Sequence, residues 1–156
     1  RREIMEAAQS TFISSTFWTE RIGPAAALKT LEIMGREKSW VQITETGRQI
    51  RERWKELAKK HELPIEFSGL PALVTFSIPV ANWLKYKTLI TQEMLKKNFL
   101  ASNSVYVCIN HTREIIDEYF EQLEPIFSTI SECEAGRNVD ELMEGPICHV
   151  GFKRLN

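Results

Sequence analysis

Residues 39–60, SWVQITETGRQIRERWKELAKK, carry the clearest periodicity in the chain. Trp40, Ile43, Gly47, Ile50, Trp54 and Leu57 recur at steps of three and four, which places them on one stripe of an amphipathic helix. Glu45, Arg48, Arg51, Glu52, Lys55, Glu56 and Lys59 fall on the opposite, wet face. Ser39 is of the residue type that caps a first turn. Gly47 sits on the apolar stripe and costs about 1 kcal/mol of helix propensity relative to Ala. Close approach of another backbone would offset that cost.

Downstream, Pro64, Gly69 and Pro71 punctuate the chain, and Ala72 to Ile78 reads as a strand closed by Pro79. Trp83 to Lys97 is a second amphipathic helix, with Trp83, Tyr86, Ile90 and Met94 on one side. Phe99–Ala101 and Val105–Ile109 are predicted as short strands separated by the turn-prone Ser102, Asn103 and Ser104. Thr112 opens a long helix bearing Ile115, Ile116, Tyr119, Phe120, Leu123, Phe127 and Ile130. Pro125 inside it predicts a kink, and Gly136 its end. Val139 to Met143 reads as one further helical turn before an aperiodic tail.

Upstream, Arg2 to Gln9 reads as a short helix. Ser10 to Thr19 mixes hydroxyls with Phe12, Ile13, Phe17 and Trp18, which marks a loop that is not simply solvated. A helix follows from about Glu20, with Pro24 in its first turn and Gly35 at its end. Its Ala25-Ala26-Ala27 run predicts close packing against neighbours on both sides. The element order predicts an α+β fold, a small, mostly antiparallel sheet with helices packed on one face.

The chain has 156 residues, about one ordinary domain. Apolar residues make up 43% and charged residues 26%, enough to bury a core. A net charge of -1 excludes a dominant nucleic-acid footprint, so no nucleic-acid partner is expected. No apolar run approaches the roughly 18 residues of a membrane span, so no membrane partner is expected either. Three cysteines, Cys108, Cys133 and Cys148, are too few and too odd for a disulfide framework and suit a reducing, cytoplasmic setting. The start at Arg1, without a Met or a signal pattern, reads as a piece of a longer polypeptide. Between Glu114 and Glu144 ten acidic side chains stand against the single Arg137, either a solvated helix face or an acidic docking surface.

Few residues point to chemistry by themselves. Cys108 and His111 are spaced C-x-x-H, and Cys148 adjoins His149, but a metal site needs about four ligands in better-spaced pairs. No metal site is expected, and a Cys–His nucleophile pair lacks an orienting third group. Lys85, Lys87, Lys96 and Lys97 read as solvated charge rather than Schiff-base lysines, and no catalytic residue is assigned. No G-x-G-x-x-G, G-x-x-x-x-G-K, H-E-x-x-H or G-x-S-x-G occurs. The segment Ile13 to Thr19 does carry a physical argument. Hydroxyls and N–H groups just ahead of a helix N-terminus can hold an anion such as a phosphate.

Read as a unit, Ser14 to Leu31, SSTFWTERIGPAAALKTL, resembles the C-terminal half of class III pyridoxal-phosphate (PLP) aminotransferases, in their glutamate-1-semialdehyde aminomutase-like branch. Ile43 to His61 is similar to that family's long helix after the interface helix. Cys108-Ile109-Asn110-His111-Thr112 is similar to its late strand leading into the last helix. The resemblance covers about residues 1–132, and the tail from Cys133 has no counterpart. It implies the C-terminal domain of a fold-type I PLP enzyme, with pyridoxal 5'-phosphate as cofactor in the full-length parent. A small residue and a threonine before the interface helix hold the cofactor phosphate of the neighbouring subunit of a homodimer, roles that fall on Ser15 and Thr16. The chain departs from the family where Thr19-Glu20-Arg21 replaces a Gly-Asn-Pro, and in lacking a substrate-clamping arginine before the last helix.

The resulting division is 1–36 as an interface segment, 37–132 as a small α+β domain and 133–156 as a tail. The implied function is amino-group transfer on an amino acid or semialdehyde by the parent. In the family it resembles, the Schiff-base lysine lies upstream of the segment matching Arg1, so the resemblance implies that the chain alone is inactive. Phe12, Ile13, Phe17, Trp18 and the Ala25–Ala27 face, which the large domain and partner subunit of the parent would cover, form an apolar patch that predicts self-association of the chain alone. The alternative is a non-enzymatic α+β interaction module using the acidic 114–144 face.

Overall fold

A computed structural model describes residues 2–9 and 19–149. They fall into two units, divided between Lys38 and Ser39.

The first unit holds two helices, α1 (Arg2–Gln9) and α2 (Ile22–Glu37). An i,i+4 pair, Arg2 with Glu6, lies along α1. No residue of α2 is buried, and Ile22, Leu28 and Leu31 are exposed. The helix also runs past Gly35 to Glu37. Its stop is Lys38, which takes the left-handed conformation (φ 48°) and donates its N–H to the Met34 carbonyl.

The second unit is built on α3 (Ser39–Lys60), β1 (Glu66–Ser68), β2 (Leu73–Ser77), α4 (Trp83–Lys96), β3 (Ser104–Tyr106) and α5 (Arg113–Glu134), followed by a 3₁₀ turn at Val139–Leu142. The sheet is antiparallel in the order β1-β2-β3, with Phe67 opposite Phe76 and Val74 opposite Val105. Val74 and Phe76 bury one face of β2. The Phe76 ring meets Trp54 of α3 at 4.7 Å between centroids, Trp83 of α4 at 5.9 Å and Phe127 of α5 at 5.9 Å. One strand residue thus gathers all three helices onto one side of the sheet, the α+β layer expected from the element order.

The α3 stripe is buried from Gly47 through Ile50, Trp54 and Leu57, with Ile43 half-buried and Trp40 exposed. A Cβ on Gly47 would overlap the Pro71 carbonyl and lie 3.2 Å from Pro71 Cα. The backbone approach expected from the sequence is made by the β1–β2 connection. That connection turns at Gly69, whose φ of +85° is one that L side chains rarely adopt. Ser39, expected to cap the start of the helix, is its first residue, and its buried hydroxyl has no hydrogen-bond partner among the described residues.

α3, α4 and α5 end alike. Leu63 N–H reaches Ala58 O and Glu62 N–H reaches Lys59 O; Phe99 and Asn98 repeat this on Met94 and Leu95, and Arg137 and Gly136 on Glu132 and Cys133. These are Schellman stops with Glu62, Asn98 and Gly136 at positive φ. The stop on α4 explains one departure from expectation, because Phe99 donates to the helix and Phe99–Ala101 forms no strand. Asn103 instead pairs with β2 from a loop: its carbonyl accepts the Phe76 N–H at 3.0 Å, and its side-chain amide donates to Phe76 O at 2.8 Å. The strand expected over Val105–Ile109 shortens to Ser104–Tyr106. α5 starts from Thr112, whose hydroxyl accepts the Ile115 N–H, and continues through Pro125.

Candidate functional site

Ser15 and Thr16 lie outside the described residues, as does the rest of the 10–18 segment. The helix that follows them is described. Glu20 Oε1 accepts the Ile22 N–H at 2.6 Å, Pro24 has no N–H, and Ala25 N–H bonds Arg21 O at 3.0 Å. The Glu20 carboxylate therefore already serves the start of α2. An anion held ahead of this helix would depend on donors of the preceding segment more than on the helix end.

The remaining candidates resolve into structural contacts. Cys108 N–H donates to His111 Nδ1 at 3.2 Å, and His111 N–H returns to Cys108 O at 3.1 Å, so the C-x-x-H spacing closes a turn. Cys148 N–H donates to Thr88 Oγ1 at 3.0 Å, and its Sγ lies 3.6 Å from Leu84 O. Among the described residues no cluster of three or more His, Cys, Asp or Glu side chains could hold a metal ion. No described helix is long and apolar enough to cross a membrane. Lys85 pairs with Asp140 at 2.6 Å, and Lys96 pairs with Glu93 at 2.7 Å and Glu144 at 2.6 Å.

Six of the ten carboxylates of the acidic 114–144 region have side-chain partners elsewhere in the fold or in Arg137. Asp117 pairs with Arg53, Glu124 with Lys60, Glu132 with Arg137, Asp140 with Lys85 and Glu144 with Lys96. Glu134 accepts the Tyr86 hydroxyl, and burial together with that carboxylate drives the Tyr86 phenol far above its ordinary range. Arg53 also stacks on the Phe120 ring at 4.2 Å. Four cations from α3 and α4, Arg53, Lys60, Lys85 and Lys96, thus face four of the ten carboxylates that read in the sequence as an acidic face.

One feature escaped the sequence. Residues 138–149 run as a strap along α4. Gln92 holds its middle with both ends of one amide: Nε2 donates to Leu142 O at 2.9 Å, and Oε1 accepts the Glu144 N–H at 2.8 Å. Partners some 50 residues apart leave no local signal.

No family model matches the chain. Over 112 residues, 69% of its length, the chain is 28% identical to the 3-aminobutyryl-CoA aminotransferase of Cloacimonas acidaminovorans (strain Evry). It spans 27% of that curated relative. Its fold matches the PLP internal aldimine form of the Sphingopyxis sp. MTA144 FumI protein with a TM-score of 0.70 and 19% identity, over 89% of this chain and 34% of that one. The sequence is thus similar to part of an aminotransferase, and the α+β fold to part of a PLP-bound protein, in agreement with the resemblance drawn from Ser14 to Leu31.

Proposed function

We propose that the chain is the C-terminal portion of a PLP-dependent class III aminotransferase or aminomutase, of the glutamate-1-semialdehyde aminomutase-like branch. The observation that carries this reading is the agreement of two independent likenesses, an aminotransferase in sequence and a PLP-bound protein in fold. The cofactor, when bound, supplies the electron sink for amino-group transfer on an amino acid or semialdehyde. This chain's own part is to position it. The donor chemistry fits, because Ser15 and Thr16 offer adjacent hydroxyls, each able to donate to a phosphate oxygen of the partner protomer's cofactor in a cytoplasmic homodimer.

The Schiff-base lysine belongs to the part of the parent that precedes this chain, and no lysine here takes its place. Lys60, Lys85 and Lys96 are held in ion pairs by Glu124, Asp140 and the Glu93–Glu144 couple. The test is a titration of residues 1–156 alone with pyridoxal 5'-phosphate. The expected result is no saturable visible absorption band. A stoichiometric band that borohydride abolishes would overturn the reading. Five of the ten carboxylates on which the non-enzymatic alternative rests are held in ion pairs, which narrows the free acidic face without removing it.

A further inference from the structure

β3 is an outer strand of the sheet. Its bonds to β2 fix which of its main-chain groups are used. The Asn103 carbonyl accepts the Phe76 N–H, Val105 lies opposite Val74, and the Val107 N–H donates to Ala72 O. By the alternation of an antiparallel ladder, the N–H and C=O groups of Ser104 and Tyr106 point away from β2. No main-chain group of a described residue takes them. The open edge stops at Cys108, whose N–H and C=O are both closed onto His111.

This edge carries no charge to guard it. From Asn98 to Thr112 the chain has no Asp, Glu, Lys or Arg. The opposite outer strand, β1, bears the exposed Glu66, and the Arg51 guanidinium lies over its Phe67 ring at 5.1 Å. Charged side chains keep an edge strand from pairing with other chains, and natural proteins cover an edge that lacks them. Leu100 is 96% exposed and Tyr106 76%. A cavity of about 150 Å³ opens beside the strand, lined by Leu100, Ala101, Val105, Ile115 and Tyr119. It is below the range of small-ligand sites and takes one benzene-sized side chain.

We propose that the β3 edge is the docking site for an extended segment of the parent polypeptide outside residues 1–156, which adds to the sheet as a further strand and seats one apolar side chain in the cavity. This rests on the reading of the chain as part of a longer aminotransferase. The relatives have chain to supply the segment, since residues of this chain span 27% of one and 34% of the other. Main-chain bonds to Ser104 and Tyr106 provide the pairing, and the uncharged stretch from Asn98 to Thr112 fits an apolar partner strand.

The test is amide hydrogen exchange, read residue by residue, on residues 1–156 alone and on the longer protein, with the Trp54 amide inside α3 as the control for folding. Ser104 and Tyr106 should exchange almost freely in residues 1–156 and at least about 100-fold more slowly in the longer protein. Free exchange of both in the longer protein would overturn the proposal. Slow exchange in residues 1–156 would also overturn it, in favour of a second copy where protection falls on dilution and of this chain's own residues where it does not. If the Trp54 amide is unprotected in residues 1–156, the longer protein decides by itself. Pyridoxal 5'-phosphate binding is measured on the same longer protein. A protected edge without cofactor binding would sink the aminotransferase reading and leave the added strand standing, and an open edge with cofactor bound would do the reverse.

Discussion

The α-carbon of Gly47 in α3 packs directly against the backbone of Pro71, leaving no room for a side chain. Gly47→Ala would gain about 1 kcal/mol of helix propensity. It would also force α3 away from the β1–β2 connection, and overpacking of this kind costs about 1–3 kcal/mol or more. The net expectation is a loss of stability, read as a lower urea midpoint for unfolding. An unchanged or raised midpoint would show that this contact does not constrain the fold.

Glu62 occupies the left-handed stop of α3 with φ 55°, the position Gly136 fills after α5. Its side chain is exposed. Glu62→Gly relieves the Cβ strain and should stabilise the protein by about 0.5–1 kcal/mol, less the added chain entropy of the unfolded state. Thermal unfolding checks it, and a lower Tm would contradict it.

The indole N–H of Trp54, fully buried, donates to the Tyr119 hydroxyl at 3.1 Å. Tyr119→Phe leaves that donor without an acceptor, which costs about 1–3 kcal/mol. Tyr106→Phe, on an exposed strand residue, should stay within about 0.5 kcal/mol. Chemical denaturation of the two variants side by side should separate them.

Acid should destabilise the protein in a defined window. Burial alone would raise the Glu93 carboxyl, but the Lys96 ammonium and the Gln92 amide outweigh it and hold Glu93 below its ordinary value of 4.5. The Lys60 ammonium does the same for Glu124. A bond from its own backbone N–H, then the Thr112 hydroxyl, lowers Glu114. Each group binds its proton more readily unfolded than folded. Their contribution is therefore present above about pH 4.5 and lost as pH falls through the lower folded values. The urea midpoint should drop below that pH, less steeply in Glu93→Gln. A midpoint that rises on acidification would contradict the sign.

Much of this fold could be read from the chain because its strongest signals are local. The Trp40–Leu57 period, the Gly47 interruption and the Thr112 start each appear within one helix. Other features depend on distant partners. β1 has only three residues, bounded by Pro64 and Gly69, too short for an alternation to show. Phe99–Ala101 has strand-like composition, yet the stop of α4 takes the Phe99 N–H, while Asn103 supplies the bonds to β2. Lys38 looks like an ordinary surface lysine, but its left-handed backbone ends α2 and puts Ser39 inside α3. The acidic C-terminal region looked free because its cations sit on α3 and α4. For the candidate site, hydroxyl density around Thr16 suggested an anion, but naming the anion required the family resemblance. The strap left no trace, since Gln92 meets Leu142 across 50 positions.

Under the proposed function, Thr16 would hold the phosphate of a partner protomer's cofactor. The direct measurement is the pyridoxal 5'-phosphate dissociation constant of the longer, cofactor-loaded protein carrying Thr16→Ala, with Thr16→Ser beside it. Loss of one hydrogen bond to a charged group should weaken binding by about 10- to 100-fold. The serine variant should restore most of the affinity. A dissociation constant unchanged by Thr16→Ala would contradict the account.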